Sequence, residues 1–397
     1  MEVREAALAL LRANRRHTLD GHQYTVPSPR TYPYQWLWDS CFHAIVLAEL
    51  DPEAAKAEIR SLLTRQFEDG MIPHMIFWNP IITRPYNVGW GKKGTSSITQ
   101  PPMVAYAAWE IYKKTGDEAF LREIFAPLHT FHKYLIEHRD PRDNHLISII
   151  NPDESGEDNS PRFDEPMKLK ENISFFGHMY ERWKLVAANR VCNFDVEICT
   201  RNHFWVKDVP FNSILIKNLE IFAHIASLLG ETEAETYSLL HARLIKEAMR
   251  EHLMEDGVFW SGTGENHELL KVDTWAHFAP LFAGLYTPEE AKALIENHFH
   301  NPDTFHSPFG IRTVSKQELS YRPRGFWRGP IWFAPQWFIY QGLKSYGFQK
   351  EAEWMRDTTL ALVTRNGFRE YFNPETGRGY GASRFTWGTL VLDMMDI

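Results

Sequence analysis

The segment Asp39 to Phe67, DSCFHAIVLAELDPEAAKAEIRSLLTRQF, contains the unit from which most of the chain is built. Apolar residues recur at helical spacing from Asp39 to Leu50 and again from Glu53 to Phe67, and Asp51-Pro52 interrupts them. Proline is favoured at the first position of a helix, so the interruption predicts one helix ending and the next beginning. The product is an antiparallel helical hairpin.

The pattern repeats. Helices are predicted at Glu2 to Arg15, Gln100 to Lys114, Glu118 to His138, Met167 to Asn189, Pro210 to Leu229, Glu231 to His252, Thr274 to Gly284, Pro288 to Phe299, Pro330 to Ser345, Gln349 to Thr364, and from Thr386 onward. Thr115-Gly116-Asp117 supplies a stop and then a cap, and Gly230 supplies another stop. Residues Val191 to Val209 have room for a short strand or hairpin. About a dozen helices in antiparallel pairs close either as an open solenoid or as a toroid. Solenoid repeats resemble one another, whereas these pairs differ in sequence and in loop length. The expectation is therefore an all-α, single-domain (α/α)6 barrel spanning residues 1–397, in which the first and last helices meet. Long insertions fall near residues 69–98 and 140–165.

A formal net charge of −8 argues against a nucleic-acid or anionic-membrane surface. No run of about 18 apolar residues occurs, so no membrane span is expected. The N-terminal stretch reads as an amphipathic helix rather than a secretory signal, which gives a cytoplasmic expectation. Three cysteines, Cys41, Cys192 and Cys199, form neither a metal pattern nor a disulfide framework, and reduced thiols are the simplest reading. Histidines are numerous but show no HExxH spacing, so neither a metal nor another cofactor is expected. His43, His74, His132 and His277 read as core or rim residues. A homo-oligomer is compatible with the sequence.

Two features point to chemistry. The chain has 14 Trp, 15 Tyr and 26 Phe, together 14% of its residues, and such a surplus favours a ligand-lined cavity over core packing alone. Between predicted helices lies Asn151 to Asp164, NPDESGEDNSPRFD, with five carboxylates among helix breakers. It reads either as a solvated acidic loop or calcium site, or as a catalytic loop whose crowding raises one carboxyl pKa toward that of a general acid. Four segments are too polar for core and too aromatic for ordinary loop: YPYQWLWDS (Tyr32 to Ser40), ESGEDNSPRFD (Glu154 to Asp164), RGFWRGPIW (Arg324 to Trp332) and FREYFNPETG (Phe368 to Gly377). Carboxylates, arginine and stacking rings together suit a carbohydrate.

In order along the chain, WLWD at Trp36 to Asp39, ESGEDNS at Glu154 to Ser160, WRGPIW at Trp327 to Trp332 and EYFNPETG at Glu370 to Gly377 resemble the signatures of glycoside hydrolase family 63, with a more distant similarity to trehalases. The resemblance implies an (α/α)6 barrel and an inverting α-glycosidase, with Asp158 as general acid and Glu370 as general base. Inversion requires the two carboxyl groups about 6.5 to 9.5 Å apart, with a water between base and sugar. Glu154 and Glu157 become tuning charges or hydroxyl ligands, and Arg162 opposes them at Asp158. Asp39 sits at a predicted helix N-cap, and the resemblance makes it a sugar ligand walled by Trp36 and Trp38. Tyr34, Tyr86, Gln100, Trp327, Arg328, Trp332 and Trp387 complete the expected substrate-binding set.

In size and layout the chain is similar to compact prokaryotic members that hydrolyse mannosylglycerate or glucosylglycerate. The resemblance thus implies hydrolysis of a hexosyl-glycerate compatible solute to hexose and glycerate. Tyr86, Lys92, Gln100, Arg190 and Arg201 are candidates for holding the carboxylate. The glycine-bearing stretch Thr83 to Ser97 is a candidate cover, against which Arg324 to Trp327 would close. Rival readings are an α-glucosidase acting on a disaccharide or short oligosaccharide, and a sugar epimerase or isomerase on the same barrel that uses histidine bases.

Overall fold

The computed structural model describes residues 3–79, 89–92, 94–170 and 173–395. The helical hairpin expected over Asp39 to Phe67 is present as α2 (Leu37–Leu50) and α3 (Pro52–Leu63). Asp51 serves both helices: its N–H donates to the Leu47 carbonyl at 2.8 Å, and its side chain accepts from the Ala54 N–H at 3.3 Å. Arg15 holds the same carboxylate at 3.0 Å.

Burial sorts the helices into two rings. In α2, twelve of the fourteen residues are buried, and a helix that is buried all round belongs inside. By contrast α9 (Thr232–His252) buries only one stripe, including Ala234, Ser238, Ala242, Ile245 and Met249, and belongs outside. The inner ring runs α2, α4 (Val104–Thr115), α8 (Val209–Leu229), α10 (Ala279–Phe282), α12 (Phe333–Ser345), and a 3-10 turn at Thr386–Leu390 that continues into α14 (Val391–Met394). Each packs on the next, and the last packs back on α2.

Outside, α3 lies on α2, α5 (Glu118–His138) on α4, α9 on α8, and α13 (Gln349–Asn366) on α12, while α1 (Val3–Asn14) packs on the Thr386–Leu390 turn. After α10 the chain turns into α11 (Pro288–Leu294). The ring is thus a toroid, and its seam joins the two ends of the chain. Asn14 donates to the Arg384 carbonyl at 3.0 Å, and Thr386 N–H to that of Pro27 at 3.0 Å.

Some boundaries differ from the sequence expectation. The helix predicted from Met167 starts at Phe175, where Ser174 caps α6 (Phe175–Val191) by accepting from the Gly177 N–H. Residues 191–209 hold a short helix, α7 (Val196–Asn202), capped by Asp195, before the strand Val206–Lys207. The turn between α6 and α7 brings Cys192 and Cys199 to a Cα separation of 5.8 Å, and they form a disulfide. That corrects the expectation of three reduced thiols; Cys41 alone is free, buried in α2. Among the described residues no helix is long and apolar enough to cross a membrane.

Strands are short. Gln35–Trp36 pairs with Met75–Ile76, and Arg369–Phe372 with Gly379–Ser383. Trp36, Met75 and Glu370 from these pairs share the wall of one cavity at the end of the toroid where α2, α4, α12 and the Thr386–Leu390 turn begin. Several inner helix N-termini therefore point into that cavity and favour negative charge there.

Because Asp51 caps α3 while bound to Arg15, Asp51→Ala should lower unfolding stability by about 1 kcal/mol or somewhat more. The shift in urea midpoint at unchanged m-value measures it.

Candidate active site

The acidic loop enters the cavity as two 3-10 turns, Pro152–Ser155 and Pro161–Phe163. Its carboxylates divide into two sets. Glu154 is fully buried, pairs with Arg139, and accepts from the N–H groups of Ile150 at 2.7 Å and Thr99 at 3.2 Å. Glu157 is buried in a two-point pair with Arg162 at 2.8 and 2.9 Å and accepts from Trp275 Nε1 at 2.7 Å. Arg162 also holds Asp208 at 2.9 Å. Asp164 is gripped at two points by Arg328, at 2.8 and 2.5 Å.

Three carboxylates are therefore anchors. This corrects the reading of Glu154 and Glu157 as hydroxyl ligands or tuning charges: their oxygens are consumed by Arg139, Arg162, main-chain N–H groups and an indole. Arg162, likewise, is committed to Glu157 and Asp208 rather than to Asp158.

Of the loop's five carboxylates, only Asp153 and Asp158 reach the cavity. Between the two turns Gly156 passes over Trp38 with φ +75°, and a Cβ there would sit 2.2 Å from the indole, so glycine is required on both counts. Asp158 Oδ2 is 2.6 Å from Arg182 Nη1, and its Oδ1 is buried without a hydrogen-bond partner. Burial pushes the Asp158 carboxyl up, Arg182 opposes this, and Asp153 adds to it.

Glu370 stands where the pairing of Arg369–Phe372 with Gly379–Ser383 shifts register. Tyr32 donates its hydroxyl to Oε1 at 2.6 Å, and the Ala382 N–H reaches Oε2 at 2.5 Å. Gly381, at φ +65°, leaves space for this carboxylate, since a Cβ there would lie 2.3 Å from Oε2. Burial raises the Glu370 pKa to about 6 against these two donors, and the charge of Asp158 adds to the rise. The two carboxyl groups thus share one cavity and feel each other's charge.

Asp39 is a third carboxyl on the wall. It lies inside the first turn of α2, with Trp36 at the N-cap, which corrects its expected capping position. Trp387 Nε1 donates to Asp39 Oδ1 at 2.6 Å, and burial raises the Asp39 pKa to about 6 while His43 opposes the rise. Around it the aromatic rings pack tightly: Trp327 and Trp332 stack at 4.0 Å with 7° between planes, and Trp38 meets Trp387 edge-on at 5.1 Å.

The cavity, about 950 Å3, brings together Trp36, Trp38, Asp39, Gln100, Asp158, Trp327, Trp332, Glu370 and Trp387 from the expected set. Gln100 Oε1 is buried there without a partner. Tyr34 instead packs against Trp36 and Phe77 in a separate apolar cluster, and Arg328 is engaged with Asp164; neither lines the cavity. Tyr86 and much of the expected cover, Thr83 to Val88 and Lys93, lie outside the described residues.

Of the carboxylate candidates, Gln100 and Arg190 line the cavity. Arg201 pairs with Glu197 on an exposed surface, and Lys92 lies over the Phe67 ring at 5.0 Å. Away from the cavity, Asp140, Asp143 and His145 gather ligand-type atoms within 4.8 Å, but Asp140 accepts the His145 N–H at 2.7 Å in a turn closed on its own backbone.

Sequence reasoning missed Tyr32, which opens a segment it had already singled out, and one face of α6 apart from Arg190. His178, Arg182, Val186 and Arg190 recur every four residues and line the cavity together. Two basic guanidinium groups and an imidazole on one stripe were the available signal. His74 also lines the cavity, accepts or donates at Ser96 Oγ over 2.6 Å, and burial lowers its pKa to about 4.

A helical toroid with two interacting carboxyl groups and stacked tryptophans at one mouth is the build of a glycoside hydrolase. A family model described as the mannosylglycerate hydrolase MGH1-like glycoside hydrolase domain matches residues 32–388, and the chain belongs to that family. It is 33% identical to the mannosylglycerate hydrolase of Thermus thermophilus, covering 93% of this chain and 95% of the relative. It is 29% identical to the glucosylglycerate hydrolase of Mycolicibacterium hassiacum, covering 98% and 96%. The crystal structure of a GH63 mannosylglycerate hydrolase from Thermus thermophilus in complex with Tris and D-glycerate superposes with a TM-score of 0.88 at 32% identity, covering 98% of both chains.

Replacing Arg162 by Met leaves Glu157 and Asp208 buried without their cation, at an expected cost of about 3 to 5 kcal/mol. Chemical denaturation of Arg162→Met against wild type measures it.

Proposed function

We infer that this chain, acting as one catalytic barrel, is an inverting α-glycosidase that hydrolyses a small hexosyl-glycerate, 2-O-α-D-mannosyl-glycerate or its glucosyl analogue. The observation that carries the reading is the pairing in one cavity of Asp158 and Glu370 with a wall that supplies both stacking rings and arginine. Family membership and the relatives named above support the substrate class.

In the proposed reaction Glu370, held as a carboxylate by Tyr32 and the Ala382 N–H, takes a proton from water. The water oxygen bonds to the anomeric carbon from the face opposite the leaving group. The bond from that carbon to O2 of glycerate breaks with its electron pair on oxygen, which receives the proton of Asp158. Asp39, oriented by the Trp387 indole N–H, accepts from sugar hydroxyls, and Trp38 and Trp327 offer apolar faces to the ring, Trp332 backing Trp327 from behind.

The first test is product stereochemistry and selectivity. Proton NMR during hydrolysis of the two hexosyl-glycerates should show the β-hexose appearing first. Release of the α-anomer, or equal rates on trehalose or kojibiose, overturns the reading. Asp158→Asn and Glu370→Gln should each lower kcat about 10²- to 10⁴-fold.

The pH profile gives a further check. A base must be ionised, so kcat/KM should fall as pH drops through about 6, the pKa of Glu370. A hydrogen bond donated to a carboxylate lowers its pKa, so Tyr32→Phe should move this acidic limb to higher pH. Asp39 titrates near the same pH but does not bond Tyr32, so movement of the limb in Tyr32→Phe assigns it to Glu370.

A further inference from the structure

Arg182 occupies a position that the mechanism above leaves unused. It projects from the middle of α6 into the cavity, bridging Asp153 through Nη2 and Asp158 through Nη1, the latter at 2.6 Å. An ion pair of this kind favours the ionised form of Asp158 and so works against the burial that favours its protonated form. The pairing is also incomplete on both sides: Arg182 Nε is buried without an acceptor, and Asp158 Oδ1 is buried without a donor. One turn earlier on the same face, His178 Nε2 is buried and unpartnered, and burial together with Arg182 lowers its pKa to about 4.

The chemistry of the substrate class determines where its charge must lie. The acid must reach the glycosidic oxygen, and in a 2-O-glycosyl glycerate that oxygen is on the carbon that bears the carboxylate. A cation already touching the acid is therefore beside the carboxylate of any correctly placed substrate. A guanidinium donates to carboxylates through several N–H groups: Nη1, now on Asp158, can pass to a second carboxylate, Nη2 stays with Asp153, and Nε is still open.

We propose that Arg182 is the specificity-determining residue of this site, exchanging its partner Asp158 for the carboxylate of the leaving group, so that an anionic aglycone frees the acid to hold a proton. This rests on the hexosyl-glycerate reading. The bound substrate removes the cation from Asp158 and adds a negative charge nearby, and both changes favour the protonated acid. The proton comes from solvent and leaves on the glycerate oxygen. A neutral aglycone such as glycerol has no charge to draw Arg182 away, so Asp158 stays paired and its protonated form stays disfavoured by the cation. Selection then acts on kcat as well as on binding.

Other charged groups around the pair do not replace this exchange. Asp153 shares Arg182 from the acidic loop, Glu370 lines the same cavity and interacts with the charge of Asp158, and His74 and His178 are held neutral by burial.

The test reads Asp158 directly. With aspartate carboxyl carbons labelled by 13C, the Asp158 signal is assigned by its loss in Asp158→Asn and titrated with and without D-glycerate or glycerol. D-glycerate should raise the Asp158 midpoint by about 1 to 3 pH units, and glycerol should leave it in place. In Arg182→Gln the midpoint should start high and no longer respond. Arg182→Lys, which keeps the charge without the guanidinium, should respond weakly. An Asp158 midpoint unmoved by saturating D-glycerate in wild type overturns the proposal, and this arm stands even where Arg182→Gln does not fold.

Turnover supplies the second arm. The ratio of kcat on a hexosyl-glycerate to kcat on the matching hexosyl-glycerol should fall at least about tenfold in Arg182→Gln. Equal losses on both substrates would mark Arg182 as merely structural. An enzyme inactive on hexosyl-glycerates whose Asp158 still responds to D-glycerate would support the exchange while removing the substrate reading, so the two claims fail separately.

Discussion

Three arginine anchors make the acidic loop possible. Five carboxylates within fourteen residues repel one another, and inside a barrel mouth that repulsion is poorly screened. Arg139 pairs with Glu154, Arg162 is shared between Glu157 and Asp208, and Arg328 pairs with Asp164. Each arginine comes from outside the group it restrains or from the far side of the turn, so the loop is stapled to α5, α8 and the Arg324 to Trp332 segment at once. With three carboxylates paired, the remaining two point inward, and the inner helix N-termini add a field that tolerates them. Everything proposed for the site, including the exchange at Arg182, requires this frame to hold still.

Rigidity on the other wall has a different source. Glu370 is fixed by a strand irregularity, two donors and the absence of a side chain at Gly381, while Asp39 is fixed by one turn of helix and an indole N–H. Trp327, Trp332, Trp38 and Trp387 pack into one another, so the surfaces offered to a sugar ring are also core. Rings supported in this way lose little freedom on binding, which keeps the entropic cost of association low.

The fold was legible because its signals are local. Asp51-Pro52, Gly116-Asp117 and Gly230 mark helix ends using chemistry contained in a few residues, and the contrast between α2 and α9 is visible as apolar all round against apolar on one stripe. The aromatic segments were legible as a set, since each combines residues that neither core nor solvent favours together. What escaped depends on tertiary placement. Nearness in sequence suggested that Glu154 and Glu157 tune Asp158, but their partners are Arg139, Arg162 and Trp275, the last more than a hundred residues away. The cavity face of α6 looked like any amphipathic helix until its neighbours were known. Tyr32 and Tyr34 are two residues apart and similar in chemistry, yet one reaches Glu370 and the other an apolar cluster. Cys192 and Cys199 paired because a turn between two helices folded them together, which no count of thiols reveals.

The seam of the toroid gives the molecule an unusual dependence on its own completion. Tyr32 meets Glu370 across 338 residues of chain, and Asp39 meets Trp387 across 348. Contacts so distant in sequence carry a large loop-closure entropy unless the intervening hairpins have already shortened the path. During synthesis the first five hairpins can assemble before the residues that complete the catalytic wall have left the ribosome. Catalysis would then be the last property acquired, so enzymatic activity in a pulse-labelled translation reports ring closure itself rather than the bulk of helix formation.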